Sequence, residues 1–264
     1  MNSLVSSPSR YNVPGLERGL RLLQLFGRDR PVMTAAEMAR VLDIPRSTAF
    51  RIAQTLEGLG FLTRDGDRYR IGPAVLRLGF EAISSLDVTD HARPLLEALR
   101  DETGCSSQLV IRDGREVVVV LKTTAPSAFA SSVQVGTRLP AHATILGRVL
   151  LSDESDEALQ RLYPEAKLPK IGPHTPRTLA ELKQLLKQDR ARGYAVSEAF
   201  FEAGVSAIAA PVRDSSGKTT AAVSITLQRP SLEPKDLRER LIHQVQRTAA
   251  ELSARLNYQP VAAA

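Results

Sequence analysis

The chain has 264 residues and a formal net charge of +6, and this length predicts two domains of ordinary size. Hydrophobic residues make up 43% and charged residues 24% of the sequence, fractions that are typical of folded globular proteins and argue against global disorder. No apolar run approaches the roughly 18 residues that a membrane span requires, and the first residues lack the apolar core of a secretory signal, so we expect a cytoplasmic protein with no membrane partner.

The excess positive charge lies mainly in the first part of the chain. Through Val75, eleven arginines outnumber seven acidic residues, and the first lysine is Lys122. Arginine carries a planar fork of donors that fits phosphate oxygens and guanine edges. This distribution indicates a nucleic acid as a partner of the front of the molecule.

Three short helices are predicted after a disordered tail over residues 1–13. The first is an amphipathic helix that ends near Gly27, with an apolar stripe at helical spacing: Leu16, Leu20, Leu23 and Phe26. A capping box of Thr34 and Glu37 then predicts the start of a second helix. Its buried face is predicted from the same spacing: Ala35, Met38, Ala39 and Leu42.

A tight turn is predicted to lead into the third helix. Ile44 precedes a proline, which disfavours helical angles, and Pro45 suits the first position of a new helix. One side of this helix forms an apolar stripe: Ala49, Ile52, Ala53 and Leu56. The other side and its flanks carry the side chains that we expect to contact DNA: Arg46, Ser47, Thr48, Phe50, Arg51 and Gln54. Cations, hydroxyls, an amide and an apolar group are what groove recognition requires.

A β-hairpin is predicted to close this segment. Asp65-Gly66 stands between two strand-like runs and favours a type I′ turn. Arg64, Arg68 and Arg70 on this wing are expected to lie along a phosphate backbone, and Thr34 completes the candidate DNA-contacting set. The alternative, a domain that contacts another protein and whose arginines are merely solvated, stays open.

Residues 73–87 predict a linker helix that is apolar on more than one side and helps two copies to pair. Asp87 to Asp90 are expected to form a polar break before a helix over 91–103 that Gly104 ends. The remaining pattern predicts strands, helices, two later strands and a closing helix, an α+β arrangement: strands 108–112 and 116–122, helices 144–151, 155–163 and 179–192, strands 205–212 and 219–227, and helix 234–256.

Three places in this second part could line a pocket. The stretch from Leu139 through His142 to Thr144 opens a helix, whose free amides could hold an anion. Ser224 and Thr226 alternate with apolar residues and share one face of a strand, and the turn that contains Phe200 could supply an aromatic wall. For each place the structural alternative stays open: Thr144 caps the helix, the hydroxyls face solvent and the phenylalanines belong to the core.

An enzyme is the competing class of function. The four histidines show no metal-ligand spacing, and no GxSxG or Walker motif is present. The single cysteine, Cys105, excludes an intramolecular disulfide and a thiolate metal cage within one chain. His142 is the one candidate for catalysis, although a structural or ligand-contact role fits it better, and we expect neither a metal nor a cofactor.

Several strings together resemble the IclR family of bacterial transcriptional regulators, in the order and spacing of that family, from about Leu16 to Leu256: LERGLRLLQLF, IPRSTAFRIAQTLEGLGFL, YRIGPAVLRLG, LPAHATILGRVLL, RGYAVSEAFFEAGVSAIAAPVRD and AAVSITL. The resemblance implies a winged helix-turn-helix over 14–72, a linker helix over 73–87 and a GAF-like effector-binding domain over 88–258. It also implies a homodimer or homotetramer on a palindromic operator in double-stranded promoter DNA, with a small organic or aromatic acid as effector.

Matched motif to motif, the family's effector site would fall on six residues of this chain: Ile145, Leu146, Ser197, Ala207, Ser224 and Thr226. The sequence departs from many members by its bulkier Ile145 and Leu146 and by Ser206-Ala207 in place of Arg-Cys, which implies a more apolar pocket. The resemblance therefore implies a regulator, either a repressor or a protein with both activities. The alternative is a cytoplasmic enzyme that processes small molecules and carries an N-terminal protein-contact domain.

Overall fold

The computed structural model of the chain describes most of its residues: 11–27, 29–84, 87–125, 133–165, 167–172, 174–198, 204–229 and 231–259, without the side chains of 80–84 and 87. The chain divides into two compact units, Met1–Ser85 and Leu86–Ala264. Both combine helices with antiparallel sheet, which confirms the α+β class. Among the described helices, none is both long and apolar enough to cross a bilayer.

The first unit packs helices around a small three-stranded sheet of order β1-β3-β2. Its elements in chain order are α1 (Pro14–Leu23), β1 (Met33–Thr34), α2 (Ala35–Leu42), α3 (Arg46–Gly58), β2 (Leu62–Asp65), β3 (Arg68–Ile71) and α4 (Ala74–Ser84). Its largest fully buried side chains come from helices and strands alike: Leu22, Met38, Leu62 and Tyr69. This is the predicted arrangement of three helices followed by a hairpin, with β1 as an additional short strand.

The predicted capping box of α2 is confirmed. The Thr34 amide donates to Glu37 Oε2 at 2.7 Å, and the Glu37 amide donates to Thr34 Oγ1 at 3.3 Å. α2 ends at Leu42, and its C-cap Asp43 adopts a left-handed φ of 53°. Pro45 lies one position earlier than predicted, because it is the N-cap with extended ψ and its carbonyl accepts from the amides of Thr48 and Ala49.

The predicted buried face of α1 is wrong. Leu16 is 62% exposed and Leu20 is 53% exposed, whereas Leu22 is fully buried. α1 ends at Leu23, so Phe26 is not part of the helix and the spacing that included it does not describe one helical face. The leucine-rich sequence is compatible with two faces, and packing against α2 and α3 selects the one through Leu22.

The hairpin is confirmed, but its predicted turn type is wrong. Leu62 pairs with Ile71 and Asp65 pairs with Arg68, so the central residues of the turn are Gly66 and Asp67. Only Gly66 has a positive φ, 61°, whereas a type I′ turn requires positive φ at both central residues.

The second unit is built on a six-stranded antiparallel sheet of order β6-β5-β4-β9-β8-β7. Its helices and strands are α5 (Asp87–Thr103), β4 (Ser106–Asp113), β5 (Glu116–Thr123), β6 (Arg138–Pro140), a 3₁₀ turn (Ala141–Ala143), α6 (Ile145–Leu151), α7 (Asp156–Leu162), α8 (Leu179–Arg192), β7 (Ala195–Glu198), β8 (Ser206–Arg213), β9 (Thr219–Leu227) and α9 (Lys235–Arg255). α5 and α9 pack on one face of the sheet, and α6 and α8 pack on the other.

Two predictions for this unit need correction. Asp87 to Asp90 are not a break but the first turn of α5, because Val88 and Thr89 are buried and anchor that turn. The short strands β6 and β7 were not predicted, since three or four residues carry too little alternation to be recognised.

A β-bulge lies between β4 and β5. Gln108 pairs with Lys122 and Leu109 pairs with Leu121, but Val110 pairs with Val119, so Val120 is an extra residue on β5. The bulge shifts the alternation of side chains beyond it. Lys122 therefore shares a sheet face with Gln108.

Two candidate binding sites

The polar side of α3 is exposed, as the prediction of a recognition helix requires. Arg46, Ser47 and Arg51 are exposed on this helix, and Phe50 is 43% exposed. The opposite side is anchored by the fully buried Ala49 and its equivalent one turn later, Ala53. Small buried side chains bring α3 close to its neighbours while longer polar side chains reach outward.

Seven of the ten predicted DNA-contacting residues line one of two described grooves, and Gln54, Arg68 and Arg70 line neither. One concavity, of about 470 Å³, lies between α3 and the hairpin and is lined by predicted contacts from both: Thr34, Arg46, Ser47, Phe50 and Arg64. Thr48 and Arg51 instead line a groove of about 430 Å³ against α1, beside the exposed Leu16 and Leu20. The structure thus brings together the N-terminal turn of α3 and the wing, and places Arg51 on the other flank.

The arginines of this surface differ in the ion pairs and hydrogen bonds that they form within the protein. Within the described part of the chain, Arg46, Arg51 and Arg68 form no ion pair. Arg64 donates from Nε to the Gly66 carbonyl at 2.7 Å, and its guanidinium carbon lies 5.7 Å from the centre of the Tyr69 ring. Unpaired guanidinium groups on an exposed helix are available to an external anion.

The wing arginines do not share one face. Arg64 is the cross-strand partner of Tyr69, whereas Arg70 is paired with Thr63 and Arg68 with Asp65 on the opposite face. Arg70 also lies 3.6 Å from the exposed Asp65 carboxylate. A single phosphate backbone track along all three arginines, as predicted, does not fit this alternation.

The Gln54 side chain forms hydrogen bonds within its own domain. Its Nε2 donates to Glu57 Oε2 at 2.8 Å and to the Tyr69 hydroxyl at 3.2 Å. The amide donors expected for a base edge are therefore engaged in fastening α3 to β3. The acidic residue three positions after Gln54 was a signal for such a local pair.

In the second unit, the sheet face under α6 changes from apolar to polar. Val110 and Ala222 lie against Ile145 and Val149 of α6. The next row of cross-strand neighbours is mixed: Lys122, Gln108, Ser224, Ala209 and Ala195. The row beyond it contains Ser106, Thr226, Ala207 and Ser197. Since cross-strand partners point to the same face, these side chains share one surface.

Four of the residues that the resemblance assigns to an effector site are thereby brought together: Ser197, Ala207, Ser224 and Thr226. Ser224 is 1% exposed, and its Oγ has no hydrogen-bond partner. The alternative that Ser224 faces solvent is wrong. Gln108 is 8% exposed and was not predicted for this site. The sequence feature that could have identified it is a single amide side chain at the start of the otherwise apolar run QLVI.

The start of α6 is close-packed. Thr144 caps the helix by accepting from the Gly147 amide at 3.1 Å, which supports its capping alternative. A Cβ on Gly147 would lie 2.0 Å from the Ala141 carbonyl oxygen, so only glycine fits there. Ile145 and Leu146 are buried in the core between α6 and the sheet.

His142 is held by a segment outside the sheet. Its Nε2 lies 3.0 Å from the Pro169 carbonyl oxygen, and its ring packs edge-on to Tyr163 with centroids 6.0 Å apart. Burial lowers the pKa of His142, and burial raises the pKa of Tyr163 to about 12. The described contacts of His142 thus fix the segment around Pro169, and no group of three metal-ligating side chains is found among the described residues.

A buried ion pair joins α6 to α8 and was not predicted. Arg148 donates to the two oxygens of Asp189 at 2.7 and 3.1 Å, and both side chains are nearly inaccessible. Burial raises the pKa of Asp189 against the effect of these bonds. The two residues are 41 positions apart, so no local pattern could pair them. Phe200, the last predicted ligand contact, lies outside the described residues.

Comparison with known proteins agrees with this architecture. The family model of the IclR helix-turn-helix domain matches residues 15–66, and that of the bacterial transcriptional regulator IclR C-terminal domain matches residues 80–254. The Pca regulon regulatory protein of Pseudomonas putida is 30% identical over 86% of this chain and 78% of its own length. The p-hydroxybenzoate hydroxylase transcriptional activator of Acinetobacter baylyi is 31% identical over 91% of this chain and 90% of its own.

A solved structure shows the same fold. The crystal structure of an IclR homolog from Microbacterium hydrocarbonoxydans, complexed with 4-hydroxybenzoate, superimposes with a TM-score of 0.81. It is 26% identical in sequence and covers 92% of this chain and 99% of its own. Since the two family matches together span most of the sequence and the relatives align over nearly all of it, the chain belongs to the IclR family of bacterial transcriptional regulators.

Proposed function

We propose that the chain binds duplex promoter DNA through α3 and the adjoining wing, and that a small aromatic acid bound beneath α6 controls this binding. The observation that carries the proposal is the exposed side of α3, where Arg46 and Arg51 form no ion pair within the described part of the chain. Guanidinium groups held this way fit phosphate oxygens and guanine edges. A promoter target implies that the protein acts in the cytoplasm.

The aromatic acid is proposed from the relatives and from the chemistry of the pocket residues. One relative is named for p-hydroxybenzoate hydroxylase, and one structural neighbour is complexed with 4-hydroxybenzoate. In this chain, Ile145 and Leu146 supply apolar surface above a floor that contains Ala207, Ser224 and Thr226. Apolar walls with a few convergent polar groups are typical of small-molecule sites.

A dimer on a palindromic site is part of the proposal. Leu76 is 74% exposed and Leu78 is 56% exposed on α4, and such side chains favour pairing of two copies. Two recognition helices would then reach half-sites about one helical turn apart. The acid acts, in this proposal, by changing the spacing of the two helices, and the protein acts as a repressor that the acid releases. Light scattering of the free protein distinguishes a monomer from a dimer or tetramer.

The direct test is binding of the full chain to a fluorescent fragment of its own promoter region. We expect affinity to fall steeply as salt rises from 50 to 200 mM, because phosphate contacts release counterions. Aromatic and keto acids are first screened by thermal shift, and each stabilising acid is added to the promoter assay. Promoter binding that no stabilising acid alters would contradict effector control, and binding no tighter than to an unrelated fragment would contradict the DNA proposal itself.

The enzyme alternative finds no specific support. His142 is occupied with Pro169 and Tyr163, and a catalyst without a DNA target would not retard its promoter fragment. The same binding assay therefore separates the two classes of function.

A further inference from the structure

Polar side chains on the two faces of the sheet differ in whether they form hydrogen bonds. On the face toward α5, Ser107 Oγ lies 2.7 Å from Thr123 Oγ1 and donates to the Leu96 carbonyl at 2.8 Å. On the face toward α6, Ser224 is 1% exposed and its Oγ has no partner. Its cross-strand neighbour Gln108 is 8% exposed, and its amide forms no hydrogen bond among the described residues. Buried polar groups are normally satisfied, so the unpartnered Ser224 hydroxyl needs an explanation.

The neighbours of this pair on β8 have small side chains. Ala209 lies beside Ser224 in the same row, and Ala207 lies beside Thr226 in the next. These small side chains, and the buried Ile145 and Leu146 of the core on the same side of the sheet, make the surroundings apolar apart from the amide and the hydroxyls. An apolar ring with one polar substituent matches this composition.

The chemistry of the pair indicates which substituent is bound. Glutamine and serine each offer a donor and an acceptor and carry no charge. A hydroxyl group also donates and accepts, so it can satisfy both side chains at once. A buried carboxylate needs a cation, and the nearest one in this row, Lys122, already donates from Nζ to the Val133 carbonyl at 2.5 Å. We infer that Gln108 and Ser224 select effectors that carry a hydroxyl group. This inference rests on the proposed control by an aromatic acid.

The test uses calorimetric titration of the full chain with benzoate and with 2-, 3- and 4-hydroxybenzoate. We expect at least one hydroxylated isomer to bind about tenfold or more tightly than benzoate, since a site built for a hydroxyl rejects the analogue that lacks it. Gln108→Met and Ser224→Ala should reduce this preference to less than about threefold while benzoate affinity stays the same. Ser107→Ala, on the neighbouring position of β4 but the opposite face, is the matched control and should keep the preference.

Melting temperature without acid gives a second readout. Ser107→Ala removes a bonded hydroxyl and should lower the melting temperature, whereas Ser224→Ala removes an unpartnered one and should not. The inference is overturned if the wild-type chain shows no preference for any hydroxylated isomer, if Gln108→Met retains that preference, or if Ser224→Ala melts as early as Ser107→Ala. Promoter binding is measured on the same samples. A sample that binds the promoter and responds equally to benzoate overturns the inference and leaves the proposed function standing.

Discussion

The side chains proposed to contact DNA come from one continuous helix and lie on its solvent side, whereas those around Ser224 come from several strands and lie inside the second unit. On α3, the exposed Arg46, Ser47 and Arg51 can change without disturbing the buried Ala49 and Ala53. Under α6, Ser224 is buried, and Ile145 and Leu146 belong to the core on the same side of the sheet. Substitutions on the exposed side of α3 should therefore leave stability unchanged, whereas substitutions in the core that holds α6 should lower it.

The largest expected effect concerns the buried pair that holds α6. Arg148→Met leaves Asp189 buried without its partner, and breaking such a pair by removing one member costs about 3–5 kcal/mol. Denaturant unfolding of the second unit measures the loss. Arg148→Met combined with Asp189→Leu should recover most of it, because no charge is then left unpaired. Arg21→Ala, which breaks an exposed pair with Glu17, is the control and should cost less than about 1 kcal/mol. A small loss for Arg148→Met would contradict this contrast between the two sites.

A smaller effect is expected on the other side of the comparison. Arg51→Ala should weaken promoter binding by about 1–3 kcal/mol if Arg51 reads a base and should leave the unfolding free energy unchanged. Arg68→Ala, on the wing, should weaken binding equally for all sequences and lower the salt slope by about one. Anisotropy titrations on the promoter and on a scrambled fragment measure both. Promoter affinity that is unchanged in Arg51→Ala would contradict its assignment to the DNA surface.

The smallest effect is a pH dependence of the second unit. Because burial lowers the pKa of His142, the unfolded chain binds more protons than the folded chain at pH values between that lowered pKa and about 6.5. The contribution of His142 to stability is therefore present above about pH 6.5 and is lost as pH falls. The unfolding free energy of the wild type relative to His142→Gln should shrink between pH 8 and pH 5. A difference that is constant or grows on acidification would contradict this sign.

The sequence predicted local structure better than it predicted side-chain surroundings. The capping box at Thr34, the bounds of α8 and those of β9 all follow from neighbouring residues. The face of α1 was wrong because Leu16 and Leu20 satisfy a helical spacing that tertiary packing does not use.

At the candidate sites the same limit applies. The exposure of Arg46 and Arg51 follows from the periodicity of one helix, so it could be predicted. The place of Gln108 beside Ser224 depends on the register of strands more than a hundred residues apart, and local sequence contains no information on that register. The motifs of the family include Ser224 and Thr226 but not Gln108, which was identified only from the structure.

The extra residue Val120 determines which side of the sheet Lys122 occupies. With strict alternation after Val119, the lysine would point toward α5 and α9, among Leu109, Val223 and Ile225. A one-residue slip that brought Val120 into regular pairing would consequently drive an ammonium group into the apolar layer beneath α5 and α9 and turn Leu121 toward α6. Deleting Val120 would instead leave Leu121 and Lys122 paired with Leu109 and Gln108 as they are now.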